Sequence, residues 1–259
     1  MASKSPLRYP GGKTRAIPLL STYIPEGKTT LLSPFLGGGS FELHCRSRGM
    51  TVHANDLFRP LYVFWKVLKE RPTELQQRVQ ALCPVTKDAF AGYRRNILNM
   101  TDELEIATVY YIVNRCSFSG ATFCGGFSQQ SATGRMNQSA IDRLTTVSLE
   151  NITLSNDDCV KFLIDHPQTE HTLVYADPPY YIPTYVYGKD GDMHEGFDHA
   201  RFATELKKRS DWVLSYNDCE YIRTLYADYR IETVQWSYGM SIKPSSEVII
   251  RPRTQEGDA

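Results

Sequence analysis

Thr172-Leu173-Val174-Tyr175-Ala176-Asp177-Pro178-Pro179-Tyr180 is the stretch from which the rest of the chain is read. Its apolar, β-branched and aromatic residues stop abruptly at two prolines, as a buried strand does when it ends in a rigid turn. Asp177 closes that strand, and Tyr180 follows the prolines. Both then belong to the carboxyl edge of a sheet, where open α/β sheets hold their ligands. Four residues alone equally describe a proline-rich strand exit with a surface acid.

Upstream, a short strand at 29–32 leads into Ser33-Pro34-Phe35-Leu36-Gly37-Gly38-Gly39-Ser40 and a helix over 41–48. Strand, glycine loop, helix is a nucleotide-binding arrangement. The spacing matches neither the dinucleotide fingerprint nor the P-loop, which disfavours a dinucleotide or ATP and favours another nucleoside-bearing ligand. The next strand, Thr51 to Asp56, ends in an acid positioned to accept ribose hydroxyls. Before all of this, Arg8-Tyr9-Pro10-Gly11-Gly12-Lys13 sets two glycines and a cation ahead of a helix through Leu19 and Leu20.

Residues 57–149 have a different character. Helical patterns cover 57–71, a segment opened at Pro72 with a Thr73 to Gln76 capping box, 87–98 and 101–114. Residues 117–127 then break the periodicity with glycines among aromatics, and small polar residues continue to Asn137. Such a hairpin or loop either stacks side chains on bases or pins itself to the helices with its phenylalanines. Alternation of strands and helices resumes with a strand at 151–154, Asn156-Asp157-Asp158 and a helix through Leu163. A long polar loop, Pro183 to Phe197 with Tyr185, Tyr187, Gly188 and Gly191, follows the tetrad and reads as a lid or ligand contact. A helix at 199–208, a strand at 212–216, a helix at 221–227 and a closing strand pair at 231–236 and 247–250 complete the chain. The expected architecture is one α/β sheet from residues 1–56 and 150–259, with 57–149 as a mostly helical insertion.

The chain has 259 residues, 29 Lys+Arg and 29 Asp+Glu, so composition does not announce a nucleic-acid binder. Residues 1–60 nevertheless carry eight basic side chains against three acidic ones, either a phosphate-tracking face or a solvated surface. The six cysteines are scattered without a C-x-x-C pair and read as reduced thiols; Cys116 and Cys124 lack partners at zinc-ligand spacing, so no metal is expected. No apolar run reaches membrane-spanning length, and a cytoplasmic protein of a bacterial or virus-infected cell is expected.

The tetrad suits methylation of an amino group conjugated to an aromatic ring. The lone pair of such a nitrogen is delocalised, so it is a poor nucleophile. Asp177, with the Pro178 carbonyl as a second acceptor, would bind the amino hydrogens and draw the nitrogen toward tetrahedral geometry, stabilisation placed where charge develops. Tyr180 would stack on the base, which must leave the duplex to be reached.

The ordered set Arg8 to Lys13, Pro34 to Ser40, Asn55-Asp56, Asn114-Arg115 with Gly120, Asp157, Asp177 to Tyr180, and Ser215-Tyr216-Asn217-Asp218 resembles the Dam-type, α-ordered DNA adenine methyltransferases that use S-adenosylmethionine. The resemblance covers nearly the whole chain. It implies a Rossmann-like methyltransferase sheet with 57–149 as the target-recognition insertion, acting on double-stranded DNA, with a restriction endonuclease as one kind of partner.

It also implies roles for individual residues. Tyr9, Lys13, Phe35, Gly37 and Gly39 would line the cofactor pocket, Asp56 would hold the ribose, and Asp157 the cofactor's adenine. Asp177, Pro178, Pro179 and Tyr180 would be catalytic. Arg8, Arg115, Phe118 and Phe123 would approach DNA.

Two positions depart from the family. Ser33 stands where an acid usually contacts the cofactor's methionine end. Phe123 stands where GATC-methylating members have a base-reading arginine, and it cannot supply that bidentate contact with guanine. The expected target is therefore not GATC. Asp177 favours adenine over cytosine. Amino methylation of cytosine or RNA, or a catalytically silent DNA-binding protein of the same fold, are the competing expectations.

Overall fold

The computed structural model describes residues 4–181, 196–236 and 245–253. Most of the expected lid, 183–197, lies outside the described residues. Seven strands form one sheet: β1 (Thr30–Ser33), β2 (Thr51–Asn55), β3 (Ile152–Ser155), β4 (Thr172–Ala176), β5 (Trp212–Asn217), β6 (Arg230–Trp236) and β7 (Ser245–Arg251). Their order is β3-β2-β1-β4-β5-β7-β6. The first five run parallel, and β7 enters antiparallel between β5 and β6.

β4 is central and buried at every position, because both faces of the sheet are covered. Alternation along the strands divides the core in two. Leu31, Leu173, Tyr175, Val213 and Ile249 point to one face. Leu32, Val174, Ala176, Leu214 and Val248 point to the other. The first face is covered by α1 (Ile17–Thr22), α2 (Ser40–Ser47) and the helices between β2 and β3. Those helices are α3 (Arg59–Glu70), α4 (Pro72–Ala81), α5 (Lys87–Asn96), α6 (Glu103–Cys116), α7 (Gln129–Gly134) and α8 (Gln138–Thr146). The second face receives α9 (Cys159–Asp165), α10 (His199–Leu206) and α11 (Glu220–Leu225).

Local chemistry sets the helix ends. Thr86, Asp102, Ser128, Asn137, Asp158 and Asp198 each accept a backbone N–H of the helix that follows. The expected Thr73 to Gln76 capping box does not form. Pro72 starts α4 one residue earlier, with its fixed φ suited to the first turn, and Arg71 bonds Glu74 instead. α7 is not legible as a helix in the sequence, since its six residues are polar and small and its stability comes from the Ser128 cap and packing on α6. No helix among the described residues is long and apolar enough to cross a membrane.

Candidate active site

β1 and β4 are adjacent and parallel, but the chain leaves β1 toward β2 and β4 toward β5. The strand order therefore reverses between them, and this is where open α/β sheets form a crevice. The glycine loop after β1 and the tetrad after β4 flank that crevice.

Gly37 and Gly39 have φ of 48° and 65°, which favours glycine at both. The missing side chains of this loop make room for two rings. A Cβ on Gly38 would lie 2.6 Å from the Tyr9 Cβ, and one on Gly39 would lie 2.8 Å from Trp65. Trp65 also donates its indole N–H to the Gly37 carbonyl at 3.0 Å, so α3 grips the loop from outside.

Both oxygens of Asp177 are held. The Ser215 hydroxyl donates to Oδ1 at 2.8 Å, and the Lys13 ammonium contacts Oδ2 at 2.8 Å. Lys13 is only 4% exposed; it also donates to the Tyr180 hydroxyl at 2.9 Å and the Gly11 carbonyl at 3.0 Å. Glu247 Oε2 lies 3.8 Å from the same ammonium. The Tyr175 hydroxyl stands 3.2 Å from Ser215 Oγ behind it. Lys13, expected in the cofactor pocket, is thus in contact with the tetrad. Sequence reasoning gives Ser215 and Glu247 no role of their own. Ser215 stands inside a quoted motif, while the signal for Glu247 is a lone acid in an apolar strand.

Asp56 lies just past β2. Its Oδ2 accepts the Gly37 N–H at 3.0 Å and its Oδ1 the Phe58 N–H at 3.0 Å. Desolvation pushes its pKa up to about 6, against the pull of those two bonds. Tyr9 keeps 37% of its surface open, yet its phenol is desolvated and lies near enough to Asp56 and Asp177 for both to raise its pKa further. Asn55 is fully buried and joins three loops. It donates to the Pro34 and Asp157 carbonyls at 3.2 and 2.9 Å, and accepts from the Asp157 N–H and the Ser155 hydroxyl at 2.8 and 2.9 Å. The Asp157 carboxylate lies 3.2 Å from Lys161. Phe35 packs edge-on against Phe197 and Phe202.

The four residues expected at DNA divide sharply. Arg115 is 7% exposed and donates to the carbonyls of Arg135 and Pro6. Phe123 packs against Phe58 and Tyr110, with ring centroids 5.3 and 6.2 Å apart. Arg8 donates to Ser131 Oγ at 3.0 Å, and its backbone is clamped at both ends by the Asn114 amide. Phe118 is 61% exposed, on a loop closed at its base by the Ser117 to Phe127 bridge.

Residues 9–240 match the family described as D12 class N6 adenine-specific DNA methyltransferase. The chain is also 21% identical over 224 residues to the modification methylase StsI of Streptococcus sanguinis, covering 79% of this chain and 32% of that protein. It therefore spans about a third of the length of that curated relative. With an α/β sheet whose crevice holds the proline tetrad and the glycine loop, and a family match over most of its length, this chain belongs to the D12 class N6 adenine-specific DNA methyltransferases.

Proposed function

We propose that this chain methylates the exocyclic amino group of an adenine swung out of double-stranded DNA, with S-adenosylmethionine as methyl donor. The observation that carries this is the Asp177 carboxylate, fixed through both oxygens by Ser215 and Lys13 beside the glycine loop. A carboxylate held at a set angle is an acceptor that needs no reorganisation when charge develops on the attacking nitrogen. Asp177 and the Pro178 carbonyl bind the amino hydrogens and turn the lone pair out of conjugation, and the proton that the nitrogen, strongly acidic once methylated, gives up passes to Asp177 or to water. Tyr180, anchored through its hydroxyl by Lys13, offers its ring to the base.

The residues present fit the donor. Each Asp56 oxygen is bonded to one backbone N–H and keeps a lone pair for a ribose hydroxyl. Asp157, tied to the same strand end by Asn55, serves the adenine ring, and Tyr9, Phe35, Gly37 and Gly39 line the pocket. When bound, S-adenosylmethionine supplies a methyl group on a sulfonium, electrophilic enough for a neutral amine.

Residues 57–149 are assigned to target recognition, and 1–56 with 150–259 to methyl transfer. Phe123 offers no donor to guanine and is turned into an aromatic cluster, which supports a target other than GATC. A companion restriction endonuclease is the partner to seek.

Single-molecule sequencing of DNA from cells expressing the chain should find N6-methyladenine in one sequence motif. Asp177→Asn should lower methyl transfer about a hundredfold or more while S-adenosylhomocysteine still binds. An unmodified genome with folded, cofactor-binding protein would overturn the assignment.

A further inference from the structure

Glu42 has no part in the chemistry above. It lies in the first turn of α2, yet it is 3% exposed, and its Oε1 accepts the Ser33 hydroxyl at 2.7 Å. Ser33 ends β1 and Glu42 is the third residue of α2, so this bond spans the glycine loop between them. A buried carboxylate is costly unless it is compensated. The Ser33 hydroxyl and the backbone N–H of Glu42 itself compensate it in part, and no ion pair among the described residues includes Glu42. Burial pushes its pKa up to about 7, the bonds from Ser33 and from its own backbone N–H pull it down, and the charges of Asp177 and Lys13 act on it in opposite directions. A pin that merely closed the loop would need no charge, since an amide or a hydroxyl accepts the same bond.

The sheet order and the bond to Ser33 place this carboxylate beside the end of β1. β1 lies between β2 and β4, so Ser33 and Glu42 stand between the strand that leads to Asp56 and the strand that leads to Asp177. A donor with its nucleoside at Asp56 and its methyl group at Asp177 must cross the end of β1. On that path it would carry a sulfonium and, on its amino-acid end, an ammonium next to a carboxylate, of which the ammonium is the group a buried anion attracts.

We propose that Glu42, oriented by Ser33, is the anionic partner of the amino-acid end of the methyl donor. This rests on the active-site assignment above.

Calorimetry on the full chain tests it with two probes. S-adenosylhomocysteine carries the ammonium; 5′-methylthioadenosine has the same nucleoside and sulfur without the amino-acid end. Glu42→Gln keeps the shape and the bond to Ser33 and removes the charge. It should weaken S-adenosylhomocysteine tenfold to a hundredfold and leave methylthioadenosine within twofold. Equal losses for both probes would make Glu42 a loop pin, and no loss for either would remove it from the site; each overturns the proposal. Should the glutamine variant not fold, Ser33→Ala replaces it. A loss confined to S-adenosylhomocysteine supports the pair, and a loss of both or neither overturns it. Wild-type protein that binds neither probe would overturn the active-site assignment together with this one.

Discussion

Arg115 and Phe118 look alike in the sequence, as side chains approaching DNA, and the structure separates them by burial. The Arg115 guanidinium donates to the carbonyls of Arg135 and Pro6, so Arg115→Ala strands buried acceptors. It should cost about 3 kcal/mol of stability and leave the salt dependence of DNA binding unchanged, a combination read by thermal melting and by titration at several salt concentrations. Phe118→Ala should do the reverse. Its ring is 61% exposed, so melting should barely move, while DNA binding weakens by about 1–3 kcal/mol if the ring stacks on a base. Gly38→Ala should displace Tyr9, whose Cβ lies 2.6 Å from the new methyl, and lower both melting temperature and S-adenosylhomocysteine affinity. Asp177 is legible because a charge ending an apolar strand before two prolines is carried to the sheet edge by the strand itself. The position of Lys13 against the tetrad is not legible, because Lys13 and Tyr180 are 167 positions apart and only the sheet brings them together.

At the level of elements, the ends of β1, β2 and β3 behave as a unit because one amide ties them. Asn55→Ala would remove four hydrogen bonds and leave the Pro34 and Asp157 carbonyls without their partner. The expected cost is about 3 kcal/mol or more, measured by denaturant unfolding, together with a loss of S-adenosylhomocysteine affinity through loops the residue does not itself present to the ligand. The strands are readable since their apolar runs are short and bounded, and all seven fall within a residue or two of where the pattern puts them. Helix ends are less readable. The same Thr73 to Gln76 spacing that signals a capping box is overridden by a proline one residue earlier, and the polar residues of α7 carry no periodicity at all. In the loop at 117–127, Phe118 and Phe123 look equivalent in sequence, and only tertiary packing turns one outward and the other into the Phe58 and Tyr110 rings.

For the molecule as a whole, three of the eight basic residues before position 60 are engaged in internal ion pairs. Lys13 contacts Asp177, Lys28 pairs with Asp211, and Arg46 with Glu150. Internal pairing consumes part of the excess that the sequence displays. The buried acids have a global effect of their own. Burial raises Glu42 to about 7 and Asp56 to about 6, so the folded protein holds these protons more tightly than the unfolded chain. Their contribution to stability is full below the ordinary carboxylate range and is lost as pH rises through about 6 to 7. Glu42→Gln removes one of the two, so it should melt above wild type at pH 8 and close to it at pH 4.5. The difference is at most on the order of 3 kcal/mol; coincident melting curves at both pH values would contradict the sign. The arrangement of β7 also bears on how the protein is made. Ser215, which holds Asp177, sits on β5 opposite Ile249 of β7, and Glu247 of that same strand reaches toward Lys13. Along the chain, the tetrad and its hydroxyl partner precede residues 245–251, which supply the second neighbour of β5. The support of the glycine loop and tetrad is thus completed by the last of the seven strands to be translated.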